Sequence, residues 1–382
     1  MNVQTKTLNT GWPLHSKRSG WLGTETTKEE LSFELNENQV QILRKLAADN
    51  LAAGRRYTDV TRDQFCDALL DPFLASMAEA LKSGKGLVFL RNIPIDGLSL
   101  DEIRMIFWGI GTHFGMALSQ SVVGDKMGDV TPRPGSSRGY TGDQELGLHT
   151  DFTEIGVLLC IQGAKAGGEN IFVSSLALWD IIERERPDYI DVLKRGFRAW
   201  RMDEHREHQD PVTPYHVPVF AETEGLRSVY WSWLTADATA RFLGAPLSKH
   251  EADAIRFLCS VLDRDELRFR SQLERGEAVF FNNFEVLHSR THFTQWEDPA
   301  KTRHLLRLWL QCEQPRPIRD EMKIWRNPSG LLGRDPDPRY ADQSFVKLSE
   351  NDAALFMKDY FADFYNGIKT SEELMLERLG TE

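Results

Sequence analysis

The chain has 382 residues, of which 41% are hydrophobic and 27% charged, and a formal net charge of −11, so it can bury a sizeable core in one large domain or two. That acidity opposes the neutralisation of phosphates on which nucleic-acid binding depends, and nucleic acid is not expected as a partner. No apolar run approaches the roughly 18 to 20 residues of a membrane span, MNVQTKTLNTGWPLHSKRSG lacks the apolar centre of a secretory signal, and Cys66, Cys160, Cys259 and Cys312 form no CxxC pair or disulfide framework, so no membrane partner and a cytoplasmic location are expected.

In chain order, LNENQVQILRKLAADNLAA from Leu35 places Val40, Leu43, Ala47 and Leu51 near helical spacing behind an Asn36 cap. A second helix is read from Thr61 to Leu81, closed by SGKG, and GLVFLRNIPI reads as a buried strand between Gly86 and Pro94. LSLDEIRMIFWGIGTHFG from Leu98 is helical again. Its GxGxxxG at Gly109 is not the dinucleotide fingerprint and is assigned to packing or a turn. From Gly124 to Gly142 periodicity is lost in a long loop rich in Gly, Ser, Pro and Asp, the kind of segment that often carries function.

Beyond it lie short β-like runs: GVLLCIQGA, NIFVSS, RSVYWSW, EAVFFNNFEVLH and HLLRLWLQC. One helix begins among them near Leu176 and another runs from Ser248 to Leu262. Short strands separated by turns, with helices outside them, indicate a mainly β fold with flanking helices, a sandwich or jelly roll. After Glu313 the chain is irregular until a final helix, capped by Ser349 and stopped by Asn366-Gly367, whose Ala353, Phe356, Met357, Tyr360, Phe361 and Phe364 form one apolar stripe. Such a stripe must dock on the core or on a second subunit, so a homo-oligomer through the C-terminal extension is one expected outcome.

A mononuclear iron(II) oxygenase needs two imidazoles and one carboxylate on one side of the metal. In GLHTDF, His149 and Asp151 are two apart, and residues i and i+2 of an extended segment point the same way. Two further HxD or HxE matches, His205 with Glu207 and His208 with Asp210, sit in the charged run RMDEHREHQDP, which reads as a solvated loop. RGEAVFFNNFEVLHSRTHF supplies a third ligand, His288, after an apolar β run; His292 follows four residues later, but the context is β-like and there is no HExxH. Fifteen residues past His288, TRHLLRLWL carries Arg303 and Arg307 on one face of an apolar strand. Guanidinium groups there need a partner: either the carboxylate of a ligand, which a fork of two hydrogen bonds would grip, or an acid of the protein itself.

Taken together, LGLHTDF, the GGEN turn before IFVSS, FFNNFEVLHSRTHF and RHLLRLWL resemble, in order and spacing, the taurine and aryloxyalkanoate dioxygenase family (TauD/TfdA) of the clavaminate synthase-like group, from about Leu35 to Gln311. The resemblance implies a distorted double-stranded β-helix and the cofactors iron(II), 2-oxoglutarate and dioxygen. It also implies oxidation of a C–H bond of a small substrate by hydroxylation, desaturation or cyclisation, with release of succinate and CO2. Carried onto this sequence, the iron ligands are His149, Asp151 and His288, Arg303 grips the distal carboxylate of 2-oxoglutarate, and Arg307 lies near a substrate that is expected to be anionic. Asn170 stands where the family often has a Thr that assists 2-oxoglutarate. The presence of Asp151 argues against halogenation, because halogenating relatives lack that carboxylate.

Tyr140 and Phe152 are candidates to line the substrate pocket, as are Trp231 and Trp233, although aromatics on short strands more often serve the core. The expected organisation is a single catalytic domain with a helical segment at 1–85, a double-stranded β-helix core with helical insertions at 86–312 and a C-terminal extension at 313–382. Two other readings compete: a zinc-dependent hydrolase on His288, His292 and either His149 or the His205/His208 cluster, and a non-catalytic jelly-roll binding protein.

Overall fold

The computed structural model describes residue 12 and residues 20–121, 123–132, 142–202, 204–205, 209–232, 236–325 and 352–380. Tyr140, His208, Trp233 and the Ser349 cap fall outside them. Helix α1 (Glu37–Ala52) starts as expected: Asn36 accepts from the Gln39 amide while the Gln39 side chain accepts from the Asn36 amide, both at 3.0 Å. The helix expected over Thr61–Leu81 is instead a 3-10 turn at Arg62–Gln64 followed by α2 (Asp71–Ser83). The chain restarts at Asp71 because its carboxylate accepts from the Asp67 amide at 2.9 Å and Pro72 occupies the first turn. α3 (Leu100–Thr112) follows, with Ser99 and Glu102 closing a capping box.

The principal strands are β1 (Ser32–Glu34), β2 (Leu87–Arg91), β3 (Met116–Ala117), β4 (Met127–Val130), β5 (Leu146–His149), β6 (Ile155–Gln162), β7 (Asn170–Ser174), β8 (Phe269–Ser271), β9 (Ala278–Asn282), β10 (Val286–Arg290) and β11 (His304–Gln311). The larger sheet runs β1-β2-β9-β6-β11-β3 with β4 also on β11, and the smaller runs β8-β7-β10-β5. Apart from the parallel β1–β2 pair, the ladders of both sheets are antiparallel. β4 lies within the stretch expected to be loop; Gly128 and Asp129 are poor strand formers, and only pairing with Leu305–Leu308 makes this segment a strand.

Each sheet presents its two faces to different neighbours. Between the sheets, Phe89, Val279, Phe281 and Leu305 of the larger meet Phe172, Phe269 and Val286 of the smaller. On the outer face of the larger sheet, Val88, Leu90, Phe280, Leu306, Leu308 and Leu310 pack against α1, α2 and α3. Outside the smaller sheet, Val173 and Leu287 pack against α4 (Ser175–Glu185) and α5 (Lys249–Leu262). This is the distorted double-stranded β-helix with flanking helices that the sequence indicates. No described helix is long and apolar enough to cross a membrane.

The C-terminal stripe is divided between α6 (Asp352–Tyr360) and α7 (Ala362–Tyr365), with α8 (Ser371–Leu379) beyond. It docks on its own chain: Met357, Phe361, Phe364 and Leu374 surround Trp200 and Ala238, and Met375 joins the α5 cluster. Tyr360 donates its hydroxyl to Asp237 at 2.5 Å, and Arg256 donates to the Leu379 carbonyl at 2.6 Å. Phe361 is 1% exposed. Phe361→Ala should therefore lower unfolding stability by about 3 to 5 kcal/mol in denaturant titrations; a loss below about 1 kcal/mol would show that the docked tail contributes little.

Candidate active site

Three side chains converge where β5 meets β10. His288 is the register partner of His149 across that ladder, and β5 ends at His149, so Asp151 lies just past the strand end on the same side. The end is fixed from two directions. The Thr150 amide donates to the Trp231 carbonyl at 2.9 Å, and the Asp151 amide donates to Asn283 Oδ1 at 3.1 Å. Asn283 comes from the turn between β9 and β10, so the FFNNFEVLH segment both delivers His288 and holds Asp151.

Asp151 Oδ1 lies 3.9 Å from His149 Nε2, and its Oδ2 lies 3.7 Å from His288 Nε2. These separations are too long for hydrogen bonds and suit donors that share a cation. One ligand atom from each residue lies within 4.8 Å of the others, and among the described residues no second group of His, Cys, Asp or Glu converges in this way. His149 Nδ1 is 2.8 Å from the Gly147 carbonyl, which takes the ring N–H and leaves the Nε2 lone pair facing the other two residues. Burial, reinforced by the charges of His149 and Arg307, pushes His288 down to about 3 despite Asp151. Burial would raise the Asp151 carboxyl, but His288, Arg307, His149 and the Trp309 indole N–H, which donates to Oδ2 at 2.9 Å, hold it below the usual range. Two imidazoles and a carboxylate form the donor set of a mononuclear iron(II) site with open positions.

A cavity of about 180 Å³ opens beside them. Alternation along β11 sends Leu306, Leu308 and Leu310 outward to the helices and turns Arg303, Leu305, Arg307 and Trp309 inward. Arg303 is 4% exposed, its Nη1 has no hydrogen-bond partner, and burial pushes the guanidinium down to about 10. Arg307 donates from Nε to Gln120 Oε1 at 2.7 Å while Gln120 Nε2 donates to the Arg307 carbonyl at 2.8 Å, so one amide orients both ends of that residue. Asn170 is buried and lines the same cavity. The turn before it holds Gly167 and Gly168 at φ +71° and +76°; a Cβ on Gly167 would sit 2.2 Å from the His292 carbonyl oxygen, and one on Gly168 would sit 3.4 Å from Arg303 Nε.

Phe152 faces the cavity edge-on to Trp325, with ring centroids 4.2 Å apart. Trp231 does not line it and packs in the α4/α5 core. His292 is exposed and does not join His288, so a zinc pair at that spacing does not form. Two groups of lining residues escaped the reading of the sequence. Met202, Glu204, Trp325, Phe364 and Tyr365 also line the cavity, and Phe364 and Tyr365 come from the C-terminal extension. Arg290, two residues past His288 on β10, also lines the cavity; burial and the charge of Arg303 push it down to about 9. The even spacing from His288 could have marked it.

Residues 56–309 match the model of the taurine catabolism dioxygenase TauD, TfdA family. The chain is 28% identical over 254 residues to FR-33289 synthase of Streptomyces rubellomurinus, covering 64% of this chain and 74% of that protein. It is 26% identical over 345 residues to the taurine hydroxylase-like protein SAT17 of Stachybotrys chartarum, covering 84% and 83%. In fold it is similar to an asparagine oxygenase solved with Fe(II), 3-hydroxyasparagine and succinate, with a TM-score of 0.58 and 19% identity over 73% of this chain and 93% of that one.

The Trp309–Asp151 hydrogen bond yields a test. Trp309→Phe keeps an aromatic ring but leaves Asp151 Oδ2 without its donor, and should weaken iron(II) binding about 10-fold in anaerobic titration. Unchanged affinity would show that the indole only packs.

Proposed function

Because this chain belongs to the taurine catabolism dioxygenase TauD, TfdA family, and is thus an iron(II)- and 2-oxoglutarate-dependent dioxygenase, we propose that it oxidises a C–H bond of a small anionic metabolite, by hydroxylation, desaturation or cyclisation. In this reading His149, Asp151 and His288 hold the iron, Arg303 and Asn170 receive the distal carboxylate of 2-oxoglutarate, and Arg307 and Phe152 face the substrate. The observation that carries it is the placement of a buried guanidinium, Arg303, whose Nη1 has no hydrogen-bond partner, in the cavity that the His-Asp-His set opens onto. When bound, iron(II) with 2-oxoglutarate and dioxygen supplies the oxidising chemistry.

The protein's own part is orientation and the exclusion of water. The Gly147 carbonyl fixes which nitrogen His149 presents, and Trp309 and Asn283 keep Asp151 turned toward the two imidazoles. Gln120 aims the Arg307 guanidinium, whose carbon lies 4.8 Å from the Trp309 ring, along the side of the cavity next to Asp151. Phe152 and Trp325 add an apolar surface to the cavity. An anionic substrate is favoured by Arg307, and by the name of the family and of the Stachybotrys relative, both of which refer to taurine, a sulfonate.

Anaerobic addition of iron(II) and 2-oxoglutarate to the protein should produce the weak visible charge-transfer band of a chelated 2-oxo acid. His149→Ala, Asp151→Ala and His288→Ala should each abolish that band and the 2-oxoglutarate-dependent consumption of dioxygen, while exposed His292→Ala retains both. A zinc hydrolase built on His288 and His292 predicts the reverse for His292 and no need for dioxygen.

Arg303→Leu should raise the 2-oxoglutarate requirement tens- to thousands-fold, roughly the 2 to 5 kcal/mol of a charge-assisted pair broken in a desolvated site. Arg307→Leu should still consume 2-oxoglutarate slowly but lose stimulation by the true substrate, identified by screening anionic metabolites for succinate release. If Arg307→Leu instead lowers the melting temperature and weakens both ligands together, its role is in the fold.

A further inference from the structure

Arg290 is a buried cation to which the reaction outlined above assigns no task. On β10 it follows His288 by two residues and so turns to the same inner face, and its register partner on β7 is Asn170. It is 5% exposed. Its Nη2 donates to the Gln144 carbonyl, while Nε and Nη1 are buried with no hydrogen-bond partner. Arg303 approaches from β11: both guanidinium carbons lie 4.7 Å from the centroid of the same ring, Phe293. Among the described residues neither guanidinium forms an ion pair, and Asp143, whose charge acts on Arg290, is exposed to solvent. Two like charges in one desolvated pocket, with an amide beside them and no acid in contact, are costly until an anion enters.

We propose that Arg290 is a second cation of the co-substrate subsite, so that Arg290 and Arg303, with Asn170 beside them, jointly hold the distal carboxylate of 2-oxoglutarate. The proposal rests on the assignment of Arg303 to that carboxylate. A carboxylate offers about four lone-pair sites and can accept from two guanidinium groups and an amide at once. The Gln144 carbonyl anchors one nitrogen of Arg290 and leaves the other two for the ligand, so the side chain is positioned before the ligand arrives. Preference for a dicarboxylate over a 2-oxo monoacid is then shared between two strands, β10 and β11.

The test compares 2-oxoglutarate with 2-oxobutyrate, which keeps the 2-oxo acid head and lacks the distal carboxylate. Each is titrated anaerobically into the full-length iron(II)-loaded protein, with affinity read from the charge-transfer band and by calorimetry. Arg290→Gln should weaken 2-oxoglutarate about 10- to 100-fold, the range for a lost hydrogen bond to a charged group, and leave 2-oxobutyrate within about twofold; Arg290→Lys should recover part of the loss. Equal weakening of both acids, or of neither, overturns the proposal. If the wild type itself does not prefer 2-oxoglutarate, the underlying assignment of Arg303 fails as well. If the wild type prefers it and Arg303→Gln alone removes the preference, that assignment stands and the role of Arg290 falls. Should neither Arg290 variant fold, phenylglyoxal labelling of the wild type with peptide mass spectrometry decides. Protection of Arg290 by 2-oxoglutarate but not by 2-oxobutyrate supports the proposal, and any other labelling pattern at Arg290 overturns it.

Discussion

A β-strand gives successive side chains to opposite faces, and the site depends on how two strands use that alternation. On β11 the even positions, Leu306, Leu308 and Leu310, are covered by the N-terminal helices, while Arg307 and Trp309, with Arg303 just before the strand, line the cavity. β10 works in the same way, with Leu287 outward and His288 and Arg290 inward. The leucines hold the strands against the helices strongly enough for the inner face to carry charged and imidazole groups that contribute little packing of their own. Apolar pressure from outside thus fixes the register of polar groups inside, and a one-residue slip of either strand would exchange the two sets.

That logic explains what was legible in the sequence. A short apolar run carrying isolated His or Arg at even spacing is readable, because period-two alternation is local and assigns each polar residue to one face. The shared face of His149 and Asp151 and that of Arg303 and Arg307 follow from spacing within single segments, whereas His288 enters the candidate site only through the motifs that surround it. β4 was not legible. Met127–Val130 contains Gly128 and Asp129, and it is a strand because β11 offers it an edge and because Asp129 is held by Arg104 at 3.0 Å and His304 at 2.7 Å. α2 started ten residues later than expected for a similar reason: an acid in the first turn and a proline outweighed the apolar spacing upstream. Part of the cavity lining was hidden too, since Met202, Trp325, Phe364 and Tyr365 are far apart in sequence and nothing local says that they meet.

The C-terminal extension changes the meaning of its own aromatic stripe. Such a stripe can be covered by a second subunit or by the chain that carries it, and here Trp200, Ala238 and the α5 cluster provide the cover. The docked tail also lines the cavity through Phe364 and Tyr365, and the Gln144 amide, once turned to donate to the Phe364 carbonyl at 2.7 Å and accept from the Gly367 amide at 2.9 Å, ties it to the residue whose carbonyl receives Arg290. Tail and pocket are therefore parts of one structure, although the tail lies beyond the residues that match the family model.

The paired glycines before Asn170 have a consequence for how this site can diverge. With both residues at positive φ, and with no room for a Cβ on Gly167 against the His292 carbonyl, the turn that leads toward Asn170 has space only for main chain. A turn without side chains offers no gradual substitutions: nearly every replacement there strains the backbone. Neutral drift at that turn is closed off. Change in this part of the molecule is left to the side chains that do line the cavity, Asn170, Arg290 and Arg303 among them.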